Sequence, residues 1–259
     1  MKQIKILCVG NSFSCDTIEH VPGVALSLGY EKVKFGNLYV GGCSIRKHFY
    51  HAENDTPAYD YYLNEGKGWT VEQGYSIRKA VESEEWDWIS IQHGTADGSR
   101  YTDEAYYEKL PALCKYLKSI ASPSTKLAFN MTWVGDMDFP HEEIAAYNGD
   151  QMKMYSDITK ITKNAVLSLS DISVVSPTGT AVQNARTSSL ESLTRDGYHL
   201  SLDVGRYIAS LTFFSAITGE DICKIRWAPD GVDEYARKVA ITSAANALKS
   251  PFSVTEYTD

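Results

Sequence analysis

The run Ile4-Lys5-Ile6-Leu7-Cys8-Val9, closed by Gly10-Asn11-Ser12, constrains this chain more than any other segment. A short run rich in β-branched residues reads as a strand, and Gly-Asn-Ser reads as the turn that ends it. In an open α/β sheet, ligands bind at the carboxyl ends of the strands. The first strand therefore delivers one hydroxyl, that of Ser12, to the edge where such a sheet does its work.

The rest of the chain repeats the theme. Apolar runs at Ile4 to Val9, Val33 to Val40, Trp86 to Gln92, Leu127 to Met131 and Ile172 to Val175 alternate with helical patterns. That alternation predicts a parallel sheet with crossover helices. Helices are expected at Pro22 to Leu28, Ser44 to His51, Asp103 to Ile120, Glu142 to Leu169, Arg206 to Ile217 and Asp233 to Lys249. A Tyr- and Gly-rich stretch between Pro57 and Ser76 predicts a small hairpin inserted before the third strand. Such a hairpin serves either substrate contact or the covering of a sheet edge. No repeat, low-complexity tract or Pro/Ser-rich linker divides the chain, so a single domain over residues 1–259 is expected.

Composition removes several classes of function. The formal charge of −8 argues against a phosphate-backbone partner, so no nucleic acid is expected. No run approaches the roughly 18 apolar residues of a membrane span, so no membrane is expected either. The five cysteines form no Cys-x-x-Cys pair, which leaves neither a zinc nor a redox motif. The first strand begins almost at residue 1, with no charged segment and long apolar stretch before it. A cytoplasmic protein is the expectation, or a secreted or periplasmic one if a leader has been removed.

At the far end stands Asp196-Gly197-Tyr198-His199, an acid and an imidazole three residues apart in a glycine-containing loop. A serine becomes a nucleophile when a base takes its proton, and the base needs a carboxylate to orient it. Ser12, His199 and Asp196 supply these parts. Competing patterns are weaker. Ser44-Ile45-Arg46-Lys47 and Ser76-Ile77-Arg78-Lys79 match Ser-x-x-Lys, but the Ser-Asp-Asn and Lys-Thr-Gly partners are missing. His48 and His51, with His93, could meet a metal, yet no carboxylate completes the pattern. Gly41-Gly42 lacks the remaining glycines of a dinucleotide loop.

With these residues in view, the chain resembles the SGNH (GDSL-like) hydrolase superfamily over nearly its whole length. Gly10-Asn11-Ser12-Phe13-Ser14 is most similar to the first block of a poorly characterised bacterial branch. The resemblance implies a three-layer α/β/α sandwich, flavodoxin-like, with a parallel five-stranded sheet. It implies Ser12 as nucleophile, His199 as base and Asp196 as its orienter. It also implies an oxyanion hole made by the backbone N–H groups of Ser12 and Gly42 and a third donor. The family's third block ends in Gly-x-Asn-Asp; here Gln92 occupies that place and offers its side-chain amide. Asn11, His93, Asn130 and Trp133 are the candidates to line the substrate cleft. The activity implied is hydrolysis of small O-acyl esters, such as acetyl groups on carbohydrate, with no metal or organic cofactor. The partner is then a small-molecule or glycan ester. The missing third-block Asn keeps one alternative open, a non-catalytic carbohydrate- or ligand-binding protein on the same fold.

Overall fold

The computed structural model describes residues 1–93, 104–140 and 142–258. Its centre is a sheet in the order β4-β3-β2-β1-β5-β6-β7. The strands are β1 (Lys2–Gly10), β2 (Tyr30–Tyr39), β3 (Tyr59–Asn64), β4 (Trp69–Tyr75), β5 (Trp88–Gln92), β6 (Lys126–Asn130) and β7 (Ile172–Ser176). Strands β2, β1, β5, β6 and β7 run parallel. Taken in chain order, those five lie in the flavodoxin-like arrangement 2-1-3-4-5, whose switch point falls beside β1. β1 is central and covered on both faces, which is why Ile6 to Val9 reads as an unbroken apolar run.

The expected hairpin is present, but it belongs to the sheet. β3 pairs antiparallel with β2, and β4 with β3, so the five parallel strands become a seven-stranded sheet. Pairing satisfies the backbone groups that the outer side of β2 would otherwise leave open.

The helices are α1 (Ser12–Ile18), α2 (Val21–Ser27), α3 (Ile45–Glu53), α4 (Ile77–Glu82), α5 (Lys109–Ile120), α6 (Glu142–Ala145), α7 (Gln151–Ile161), α8 (Thr178–Ala185), α9 (Val204–Thr218) and α10 (Glu234–Lys249). α1, α2, α8 and α10 gather around α9, while α3 and α4 pack with α5. α9 is buried on almost every side, as expected of a helix whose Tyr-Ile-Ala-Ser-Leu-Thr-Phe-Phe stretch is apolar all round.

Two predicted helices change. The span 142–169 is interrupted because Asn148 and Gly149 take positive φ of 52° and 80°. Asp150 then starts α7 afresh, its carboxylate accepting from Lys153 N at 2.8 Å, and a π-helical turn at Thr162–Val166 follows. The span 103–120 becomes a 3₁₀ turn at Glu104–Tyr106 followed by α5; residue 103 lies outside the described residues. α1, α4 and α8 are additional to the predicted set. Among the described residues no helix is long and apolar enough to cross a membrane.

Candidate active site

The turn that carries Ser12 is built by contacts that allow few substitutions. At Gly10, a Cβ would stand 2.5 Å from Ser14 Oγ and 3.0 Å from Gln92 Oε1, so the strand must end in glycine. Asn11 follows in extended conformation as the N-cap of α1. Its Oδ1 accepts from Phe13 N at 2.9 Å and from Gln92 Nε2 at 2.7 Å. Its Nδ2 donates to Cys43 O at 3.1 Å, tying the Gly41-Gly42 loop to the turn. Ser12 is the first residue of α1, where backbone N–H groups lack helical acceptors.

The loop before α9 brings the imidazole to it. His199 Nε2 lies 2.9 Å from Ser12 Oγ, and His199 Nδ1 lies 2.7 Å from Asp196 Oδ2. Asp196 Oδ1 accepts from the N–H groups of Tyr198 at 2.9 Å and His199 at 2.7 Å. Burial pushes the Asp196 pKa up, but the hydrogen bonds from the His199 side chain and these two N–H groups outweigh it. The carboxyl is held below its ordinary value. A carboxylate kept ionised in this way fixes the imidazole with a proton on Nδ1 and leaves Nε2 to face the serine.

The loop is pinned from below. Trp133 Nε1 donates to Tyr198 O at 2.9 Å, and Asp136 N donates to Gly197 O at 2.6 Å. Phe13 packs on Trp133 and Tyr198, with ring centroids 4.4 and 4.9 Å away, and Tyr198 stacks on Phe139 at 5.2 Å.

A further residue, Asp16, holds the His199 loop and α1 together. Its side chain is fully buried one turn after Ser12 on α1. It accepts from Arg195 Nη1 at 2.9 and 3.1 Å, from Arg206 Nε at 2.8 Å and from Leu200 N at 2.9 Å. Arg195 directly precedes Asp196 and Leu200 directly follows His199, so the carboxylate grips both ends of the Asp-x-x-His segment. Sequence reasoning missed it, because its partners lie 179, 184 and 190 residues downstream and no local pattern marks it.

A family model described as "Domain of unknown function (DUF4886)" matches residues 5–247. The chain belongs to the DUF4886 family. A DUF4886 family protein from Bacteroides uniformis is 36% identical, with 98% of each chain covered and a TM-score of 0.92. An acetyl xylan esterase from Geobacillus stearothermophilus is similar at 16% identity, with 84% of this chain and 95% of that one covered and a TM-score of 0.53. A lipase/acylhydrolase from Enterococcus faecalis is similar at 14% identity, with 85% and 96% covered and a TM-score of 0.55. At these identities the likeness is one of fold, and this DUF4886 chain has the SGNH (GDSL-like) fold. No curated protein matches the sequence.

Not every predicted site residue of this DUF4886 chain meets the cleft. Gln92 is 3% exposed and donates one Nε2 hydrogen to Asn11 Oδ1, so its amide braces the turn. Asn11 is buried and engaged at both ends of its amide, as part of the scaffold. His93 is fully buried between Thr132 N and Thr162 Oγ1, and burial holds its pKa down to about 3. Asn130 is buried, donating to Thr17 Oγ1 at 3.0 Å and accepting from Thr178 Oγ1 at 2.6 Å. Trp133 lies under the His199 loop at 1% exposure and has no face to offer a ligand. Each is closed off by a partner from another element: α1 and α8 over Asn130, Thr132 and Thr162 around His93, and the Ser12 turn over Gln92.

Gly42 differs: it is exposed, at φ +57°, in the loop that Asn11 fastens. Among the described residues, neither its N–H nor that of Ser12 donates to a protein acceptor. The two Ser-x-x-Lys patterns are helix caps, Ser44 Oγ accepting from Lys47 N and Ser76 Oγ from Lys79 N. His48 Nδ1 pairs with Tyr59 OH at 2.8 Å, and no group of three or more metal-type side chains gathers among the described residues.

Asn11→Ala is expected to lower unfolding stability by about 1–3 kcal/mol. It removes the helix cap and strands the buried Gln92 amide. Urea denaturation of the variant against wild type measures the loss; an unchanged midpoint would show that the turn does not depend on this amide.

Proposed function

We propose that this protein is a serine esterase that hydrolyses small O-acyl esters, acetyl groups on carbohydrate among them. The observation that carries the reading is the continuous relay of Ser12 Oγ to His199 Nε2 at 2.9 Å and His199 Nδ1 to Asp196 Oδ2 at 2.7 Å. These distances lie within hydrogen-bond reach for nucleophile, base and orienting acid. The acetyl xylan esterase and lipase/acylhydrolase that share the fold supply the ester class carried into the proposal.

The steps follow from the roles. Ser12 Oγ attacks the ester carbonyl carbon as His199 Nε2 takes its proton. The carbonyl oxygen becomes an oxyanion, facing the N–H groups of Ser12 and Gly42. Preorganised donors aimed at that charge lower the barrier. The imidazolium, stabilised by Asp196, gives the proton to the departing alkoxide, which leaves as the alcohol. Water then attacks the acyl-serine with His199 again as base, releasing the carboxylic acid and regenerating the Ser12 hydroxyl.

A fluorophosphonate probe, which phosphonylates activated serines, tests the assignment. Intact-mass analysis and peptide mapping should find one adduct, on Ser12, and His199→Ala should suppress it. A protein that remains unlabelled returns the chain to the non-catalytic carbohydrate- or ligand-binding reading, and a label on another serine overturns the assignment of Ser12.

A further inference from the structure

The hairpin leaves one face of the sheet open beside the nucleophile helix. Asn37 and Tyr39 of β2 stand opposite Cys8 and Gly10 of β1, on the side of the sheet that carries α1. Tyr62 is paired with Asn37, and Trp69 with Asn64 two residues further along β3, which extends the same face outward. The opposite face of the hairpin is packed, with Tyr59 and Tyr61 buried. On the α1 side Tyr39, Tyr62 and Trp69 remain half-buried and Val71 is exposed.

A cavity of about 350 Å³ lies there, walled by Cys15, Ile18 and Glu19 at α1, Asn37, Tyr62 and Trp69 of the sheet, and Arg206 of α9. Ser12, Cys15 and Glu19 follow the i, i+3, i+7 spacing of one helix face. At a rise of about 1.5 Å per residue, the cavity begins roughly 5 Å along α1 from the nucleophile. Tyr39, next to Gly10 in the sheet, packs edge-on against Tyr62 with ring centroids 6.0 Å apart. Aromatic surface therefore runs from the glycine loop to the cavity.

The lining selects among ligands. Glu19 and Arg206 keep part of their side chains in water and would lose that hydration against an alkyl chain, so a lipid acyl tail fits poorly. Arg206 is paired with Asp16 at 2.8 Å and lies 3.6 Å from Glu19, so its charge is offset and an anionic ligand gains little. Flat aromatic faces with polar groups at their edges suit an uncharged ring that has C–H bonds on one face and hydroxyls around it. We propose that this cavity is a sugar-ring subsite, holding a neutral oligosaccharide whose O-acyl group reaches Ser12. The proposal rests on the reading of Ser12 as the nucleophile and names the alcohol side of that ester.

The test compares two substrates and one binding measurement. Partially O-acetylated gluco-, xylo- and manno-oligosaccharides are assayed beside p-nitrophenyl acetate, which is too small to need the subsite. For Trp69→Ala and Tyr62→Ala, kcat/KM on at least one oligosaccharide, divided by that on p-nitrophenyl acetate, should fall roughly tenfold, mainly through KM. Trp69→Leu keeps the bulk of the site and guards against a misfolded hairpin; it should show the same fall. In parallel, Ser12→Ala protein is titrated calorimetrically with the deacetylated oligosaccharides. Saturable binding weakened by Tyr62→Ala supports the subsite. An unchanged substrate ratio, or p-nitrophenyl acetate hydrolysis without any oligosaccharide binding, overturns it. Oligosaccharide binding without hydrolysis of any ester overturns the nucleophile reading and leaves the subsite standing.

Discussion

Ser12→Ala is expected to lower kcat on a small acyl ester by about 10⁶-fold, and His199→Ala by a similar factor. The double variant should lose no more than either single one, because the hydroxyl and the imidazole act as one unit. Asp196→Asn is expected to lose less, about 10⁴-fold. Its Oδ1 position can still accept from the Tyr198 and His199 N–H groups, so the loop keeps its shape. What it loses is the charge that favours a proton on Nδ1 and stabilises the imidazolium. Steady-state kinetics on p-nitrophenyl acetate, with circular dichroism to confirm folding, measure all four proteins. Near-wild-type turnover by folded Ser12→Ala would end the serine mechanism.

The second large effect is expected at Asp16, which touches no reacting atom. Asp16→Ala leaves Arg195 without its counter-charge, Arg206 with Glu19 alone at 3.6 Å, and Leu200 N without its acceptor. Removing one partner of a buried ion pair typically costs about 3–5 kcal/mol, a large share of the total stability of a domain. Asp16→Asn retains an oxygen for Leu200 N and should cost less, which keeps a folded protein available for kinetics. In that protein kcat should fall while KM changes little, because the grip on the His199 loop slackens and the substrate walls stay in place. Chemical denaturation and a kcat-against-KM comparison are the measurements. Wild-type stability and kcat in both variants would show that the loop is held by its aromatic packing alone.

The extent to which the fold could be read from sequence follows from what a sequence pattern encodes. The parallel strands were legible because each is covered on both faces and so appears as an apolar run between breakers. That Ser12, Asp196 and His199 meet was legible because each sits in a glycine-containing turn at an element boundary and their chemistry is complementary. Gln92, His93, Asn130 and Trp133 mark strand ends correctly, but spacing along a strand says nothing about which distant loop closes over its end. The interruption of the 142–169 helix was present in the chain as Asn148-Gly149, a turn signal overridden by the apolar periodicity on either side. α8 was missed because Thr-Gly-Thr-Ala-Val-Gln-Asn-Ala is buried throughout, polar residues included, and so shows no amphipathic stripe. Asp16 carries no local signal, since its meaning lies in two arginines 179 and 190 residues away.

That separation has a consequence for how the protein is made. The partners of Asp16 lie 179, 184 and 190 residues downstream. At ordinary synthesis rates they leave the ribosome roughly 10–40 s after it does. Until then the helix that carries Ser12 holds a carboxylate with no cation to meet, and burying it alone would be costly. The amino-terminal strands can pair early, but the seat of Ser12 is completed only when the last quarter of the chain arrives. A chain cut short before Arg195 is therefore expected to lose the placement of Ser12 along with His199, which makes the buried carboxylate a check that synthesis has run its course.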